Sequence, residues 1–174
     1  VSQIEPESLT LADLQSVVEE AAFRLTEDLE GLAFQVCITD LAGLRLAVTA
    51  GNTILVDANA AGYGWYVGTT DEAFVATGAE GVLAALADSE AADRMDLLTV
   101  VMHEMGHLLG HGHDAEGLMQ PTLRAGTRLQ PTGDQAAEAY AAMAWLDDLA
   151  LSRKTSDRSV QVQAVDEALM VYWN

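Results

Sequence analysis

Four histidines, the whole histidine content of the 174-residue chain, lie within eleven residues of one another. They are His103, His107, His111 and His113. Imidazole nitrogens are good ligands for Zn²⁺, and residues four apart on a helix share one face. On a helix, His103 and His107 can therefore reach one metal ion together. The sequence predicts a zinc site built on these two residues.

A third ligand must come from beyond the end of that helix. His111 follows His103 by eight residues, about 12 Å along a helix axis, and is too distant to join the same ion. Gly110 can adopt a left-handed backbone conformation at little cost, which would turn the chain back and bring His113 to the metal. We therefore predict His103, His107 and His113 as the ligands. His111 is expected to face solvent or to lie behind a ligand, with a role as alternative ligand left open.

Glu104 is the candidate catalytic residue. Three histidine ligands leave the fourth position of a tetrahedral zinc ion to water, as in catalytic sites. Glu104 follows His103 directly, so its carboxylate can take a proton from zinc-bound water and later protonate a leaving amine. Asp114 could orient a ligand histidine or cap the turn. We predict a zinc-dependent metalloendopeptidase. The alternatives are a non-catalytic surface or adhesion module with a structural metal, and a hydrolase of a non-peptide amide.

The charge and composition of the chain limit the kinds of molecule that it can bind. The formal net charge is −19, from 27 acidic and 8 basic residues. Such a charge repels phosphate backbones and anionic lipid, so we expect no nucleic acid partner. No apolar run reaches the length of about 18 residues that a membrane span needs. The single cysteine, Cys37, excludes an intrachain disulfide and is expected to be buried. Nothing in the sequence indicates an oligomeric state.

The elements that must position these residues follow from apolar periodicity. Spacings of three and four residues predict a helix over 11–30, and alternation predicts a strand over 34–39. A hairpin of 44–49 with 53–57 follows, and a long helix from about 93 to 110 carries the first two histidines. The remaining assignments are a loop with one short strand over 58–72, one helical turn within 73–92, a loop over 114–131, a helix over 133–150, a linker or surface turn over 152–159 and a short helix over 164–173. We expect a catalytic domain over 1–150, with 151–174 as a helical extension packed on it or following it.

The histidine segment has the pattern HExxHxxGxxHD and resembles the zinc site of the metzincin metalloproteases. The residues Leu118-Met119-Gln120-Pro121 resemble the Met-turn of the matrixin branch. The resemblance implies that Met119 forms an apolar floor below the metal without binding it. Serralysin-like relatives have a ligating tyrosine where this chain has Pro121, so no fifth ligand is expected.

The resemblance also implies an α+β fold, with a small mixed sheet packed on an N-terminal helix and an active-site helix, and with a C-terminal helix after the Met-turn. The loop Thr122–Pro131 is expected to line the substrate pocket. Residues 9–130 are similar to a metalloprotease-like domain of very large bacterial surface or secreted proteins. The segments that carry this similarity are Leu11–Phe34, Gly51–Asp57, Ala61–Val67 and Arg94–Glu104.

That similarity implies a peptide or protein substrate and a secreted or cell-surface location. Relatives carry a denser acidic cluster where this chain has Gly68-Thr69-Thr70-Asp71-Glu72. No loop of the DxDxDG type supports Ca²⁺ binding, which stays an open alternative beside the one catalytic Zn²⁺.

Overall fold

The computed structural model describes residues 8–25, 29, 32–132, 161–165 and 168–173. These residues confirm the predicted α+β class. Neither of the two helices in this part of the chain is long and apolar enough to cross a membrane. The helix predicted over 133–150 and the linker predicted over 152–159 lie outside the described residues. In chain order the elements are α1 (Leu11–Arg24), β1 (Phe34–Thr39), β2 (Ala47–Ala50), β3 (Thr53–Asp57), β4 (Trp65–Tyr66), β5 (Phe74–Ala76), β6 (Val82–Ala85), β7 (Met95–Asp96), α2 (Leu97–Leu108), β8 (Thr127–Leu129), β9 (Gln161–Val165) and β10 (Ala168–Trp173).

Helix α1 begins where the sequence predicts and ends earlier. Thr10 is the N-cap, and its hydroxyl accepts a hydrogen bond from the backbone N–H of Asp13 at 3.2 Å. The helix ends at Arg24 with Leu25 as its C-cap, whereas the periodicity predicts an end near residue 30. Leu29 is nevertheless buried. Leu29 therefore follows the apolar pattern by packing in the core and does not belong to α1.

The main sheet has the strand order β2-β3-β1-β10-β9. Strands β1 and β3 are parallel, with Gln35 opposite Thr53. Strands β2 and β3 form the predicted antiparallel hairpin around Gly51, whose φ of +63° suits a tight turn. Strand β2 is an edge strand, and helix α2 packs against it. The helix that carries the predicted ligands thus lies beside an edge of the sheet.

Two regions that were predicted to lack strands build a second sheet. Its order is β5-β6-β8, with antiparallel pairing throughout. The helical turn predicted within 73–92 is wrong, because these residues form the β5–β6 hairpin. Gly78 and Gly81 have positive φ in its connection, which permits a tight turn. The loop predicted over 114–131 contains β8. Strand β4 pairs with β7 and confirms the one short strand within 58–72.

The short helix predicted over 164–173 is also wrong. Strands β9 and β10 form an antiparallel pair, and β10 pairs with β1 in a register that places Trp173 opposite Phe34. Alanine, leucine and methionine favour helices in isolation, but this preference is weak beside the ladder of hydrogen bonds that β1 provides. The described part of the extension over 151–174 is therefore not helical. The boundary at residue 150 remains a prediction.

Helix α2 begins on a buried ion pair. Asp96 is its N-cap and accepts hydrogen bonds from the backbone N–H of Thr99 at 3.0 Å and from the Thr99 hydroxyl at 2.6 Å. The same carboxylate pairs with Arg128, whose Nε and Nη2 lie 3.1 and 2.7 Å from its two oxygens. Asp96 and Arg128 are almost completely buried. This cap explains why α2 starts at Leu97 instead of the predicted residue 93.

The guanidinium of Arg128 also donates hydrogen bonds to oxygen atoms of the loop 68–71. It donates to Asp71 at 3.0 Å and to the backbone carbonyls of Gly68 and Thr70, and it lies 4.4 Å from the centre of the Phe74 ring. Burial by itself would lower the pKa of Arg128, but the hydrogen bonds and charges of Asp96 and Asp71 outweigh burial and raise it. A single positive charge thus joins the loop 68–71 to the start of α2.

Candidate metal centre and catalytic cleft

The side chains of the three predicted ligands converge. Nε2 of His107 lies 3.1 Å from Nε2 of His103 and 3.2 Å from Nε2 of His113. The ligand atoms of all three lie within 4.8 Å of one another. Two nitrogens on one tetrahedral zinc ion are about 3.3 Å apart, so the spacing suits zinc. Within the described ranges, no second group of His, Cys, Asp and Glu side chains has a metal-binding arrangement.

Backbone carbonyls hold two of the rings in the tautomer that metal binding needs. Nδ1 of His103 lies 2.8 Å from the carbonyl oxygen of Leu118, and Nδ1 of His107 lies 2.8 Å from that of His111. A carbonyl only accepts, so each Nδ1 donates and each Nε2 carries a lone pair. Burial lowers the pKa of His103, which favours its neutral form. Lone pairs this close repel each other unless a cation lies between them, and the donor set therefore fits zinc.

The chain reverses at the predicted glycine. Gly110 has φ +90°, and its N–H donates to the carbonyl of His107 at 3.0 Å. The N–H of His111 donates to the carbonyl of Gly106 at 2.9 Å. This turn brings His113 back toward α2, while His111 is exposed and lies outside the three-histidine group. His111 contributes to the site through its backbone carbonyl, which orients His107.

We expect Gly110→Val to weaken zinc binding and His111→Ala to leave it nearly unchanged. A β-branched residue at positive φ is strained by about 1–3 kcal/mol, and relief of that strain would move His113. No atom lies within 4 Å of a Cβ placed on Gly110, so backbone strain and not collision would cause the effect. A competitive zinc titration of both variants measures it. Loss of zinc from His111→Ala together with retention by Gly110→Val would contradict the assignment of His113.

The turn around Met119 lies directly below α2. Met119 is buried, and a Cβ placed on Gly106 would lie 2.5 Å from its Sδ. The N–H of Asp114 donates to the carbonyl of Met119 at 3.0 Å and closes the turn. The turn also carries the Leu118 carbonyl that orients His103. No sequence pattern marks Gly106, because the close approach of the Met119 side chain to this glycine is visible only in three dimensions.

Glu104, the predicted general base, is 6% exposed and lines the same cleft as His103 and His113. Its Oε2 accepts a hydrogen bond of 2.7 Å from the hydroxyl of Thr49 on β2. The Thr49 hydroxyl also lies 3.0 Å from the backbone carbonyl oxygen of Glu104. The sequence does not identify Thr49 as a partner of Glu104, because a single threonine in a strand belongs to no motif.

A cleft of about 460 Å³ adjoins the histidines. Apolar side chains on α2, on the turn and beyond it line this cleft, among them Val100, Leu118, Leu123 and Leu129. The last two belong to the loop that was predicted to line the substrate pocket. Leu44 and Tyr63 also line the cleft and are themselves largely exposed. The cleft can therefore accept an apolar side chain of a bound molecule.

Cys37 and Trp65 both lie in structural surroundings. Cys37 is buried on β1, and burial raises the pKa of its thiol. Trp65, in the aromatic segment 63–66, is buried and donates from its indole nitrogen to the carbonyl of Asp57 at 2.7 Å. Of these aromatic residues, Tyr63 faces the cleft and Trp65 packs in the core.

Comparison with known proteins identifies the family. A family model described as matrixin matches residues 3–139. No curated protein and no solved structure matches the chain significantly. Matrixins are metallopeptidases with a catalytic zinc ion, in agreement with the donor set of the three histidines. Because the match covers most of the chain, including all of α2 and the turn at Met119, the chain belongs to the matrixin family of zinc metallopeptidases.

Proposed function

We propose that the chain is an endopeptidase in which His103, His107 and His113 hold the zinc ion and Glu104 is the general base. The observation that carries the proposal is the convergence of the three Nε2 atoms in the cleft that Glu104 also lines. Glu104 supplies no ligand atom to that group. A buried carboxylate without a structural task at the metal is available for proton transfer.

The chain's own residues account for the proton movements. When bound, zinc acts as a Lewis acid, which would polarise a carbonyl group and lower the pKa of water. The carboxylate of Glu104 accepts a proton from the water that attacks the scissile carbonyl carbon. It then donates this proton to the amide nitrogen as the C–N bond breaks. The products are a carboxylic acid and an amine, and Glu104 is again a carboxylate.

The edge strand and the cleft would position the substrate. An extended peptide can add to an exposed sheet edge through main-chain hydrogen bonds, and β2 offers such an edge beside α2. The side chain that follows the scissile bond would then enter the apolar cleft. We propose that peptides with an apolar residue at that position are the preferred substrates.

A peptide-library digest tests this proposal. The zinc-loaded protein should cleave library peptides before apolar residues, and a chelator should abolish cleavage that added zinc restores. Mass spectrometry identifies the cleavage sites. Binding of one zinc ion per chain without any cleavage would favour the non-catalytic module with a structural metal. Cleavage before charged residues would contradict the role of the cleft.

We also propose a secreted or cell-surface location, with residues 1–150 as the catalytic domain and 151–174 as an extension of it. The resemblance to domains of large bacterial surface and secreted proteins supports this proposal. The pairing of β10 with β1 supports an extension that packs on the domain.

A further inference from the structure

The hydroxyl of Thr49 is the one side-chain donor to the Glu104 carboxylate within the described residues. Thr49 lies on β2 and Glu104 on α2, and the two are separated by 55 residues. A carboxylate only accepts hydrogen bonds, so the hydroxyl donates. The distance of 2.7 Å is that of a well-formed O–H···O hydrogen bond.

The contact restricts the carboxylate in a way that suits proton transfer. Glu104 has three side-chain torsions, and the hydrogen bond from Thr49 to Oε2 fixes one oxygen of its carboxylate. Alternation along β2 places Thr49 on the same side as Ala47, which lines the cleft. Branching at Cβ limits the rotamers of threonine. The hydroxyl therefore comes from a stiff side chain on a paired strand.

We infer that Thr49 is a positioning residue, which holds the Glu104 carboxylate in the orientation that accepts a proton from water. This inference rests on the proposed role of Glu104 as general base. The same hydroxyl lies 3.0 Å from the Glu104 backbone carbonyl, so it could instead serve to join α2 to β2. The two roles differ in their consequences for kcat, for stability and for variants that keep the hydroxyl.

The test compares Thr49→Val, which keeps the shape of the side chain, with Thr49→Ser, which keeps the hydroxyl. Loss of a hydrogen bond to a charged group lowers an equilibrium or rate constant by about 10- to 100-fold. We therefore expect kcat of Thr49→Val to decrease by this factor. KM and zinc content should stay near the wild-type values. Thr49→Ser should recover most of kcat. Thr53→Val, on the neighbouring strand β3, is the matched control and should retain wild-type kinetics.

One further measurement separates positioning from simple support. In a Glu104→Ala background, Thr49→Val should have no additional effect on the residual kcat, because the carboxylate that it orients is absent. Should the valine variant fail to fold, Thr49→Ala replaces it in both comparisons.

Wild-type kcat in Thr49→Val would overturn the inference. So would a serine variant as slow as the valine variant, or an equal loss of kcat with and without Glu104. Failure of the proposed function has a different signature, because either the wild-type protein would then cleave no peptide or Glu104→Ala itself would keep wild-type activity.

Discussion

Replacing Glu104 with alanine should lower kcat by about 10²- to 10⁴-fold, which is the usual contribution of a general base. The zinc content should stay at one ion per chain, because Glu104 contributes no ligand atom to the three-histidine group. Single-turnover peptide cleavage and elemental analysis of the same preparation measure the two quantities. Glu104→Gln should be impaired to a similar degree, since an amide keeps the shape but does not accept the proton.

The matched control for this prediction is Glu116→Ala. Glu116 is exposed on the loop after the ligand turn and does not line the cleft. The Glu116→Ala substitution changes the net charge by the same amount as Glu104→Ala. It therefore reports any general effect of charge on cleavage. Equal activity of the Glu104→Ala and wild-type proteins would exclude Glu104 as the base. Loss of zinc from Glu104→Ala would instead mean that the variant disturbs the metal site.

Replacing Arg128 with methionine should destabilise the metal-free protein by about 3–5 kcal/mol, because removal of one partner leaves a buried charge uncompensated. Arg128 is fully buried and Asp96 is 1% exposed. Methionine retains part of the contact with the Phe74 ring but donates no hydrogen bond. Urea unfolding followed by circular dichroism measures the change in the free energy of unfolding.

Arg24→Met is the control for the loss of an arginine. Arg24 also pairs with Asp71, but this pair is partly exposed, and such pairs contribute about 0–1 kcal/mol. Adding Asp96→Asn to Arg128→Met should restore part of the lost stability, because the unpaired charge is then removed. A loss below about 1 kcal/mol for Arg128→Met would show that the buried pair does not support the fold.

The convergence of the three histidines could be predicted from the sequence because it depends on local backbone geometry. Helix α2 brings His103 and His107 together through its own periodicity, and one glycine turn is enough to add His113. The conformational need at Gly110 follows from backbone sterics alone. For the same reason the edge hairpin of β2 and β3, with a tight turn at Gly51, was predicted correctly.

What the sequence did not predict depends on contacts between distant residues. The Thr49–Glu104 hydrogen bond spans 55 residues and the Arg128–Asp96 pair spans 32. Neither contact corresponds to a recognisable pattern in the amino-acid sequence. The β5–β6 hairpin was missed because the alanine-rich segment lacks a clear alternation. The strand β10 was mistaken for a helix because its register is determined by β1, more than 130 residues earlier.

The position of Arg128 also bears on the order in which the contacts of α2 can form during synthesis. Ribosomes add residues from the amino terminus, and domains fold as their parts emerge. A chain that ends before residue 128 already contains the three histidines and Glu104, but the carboxylate of Asp96 at the start of α2 has no cation. The ion pair at the start of α2 therefore forms only after Arg128 has been added, so the segment with the three histidines is synthesised before the contact that anchors its helix.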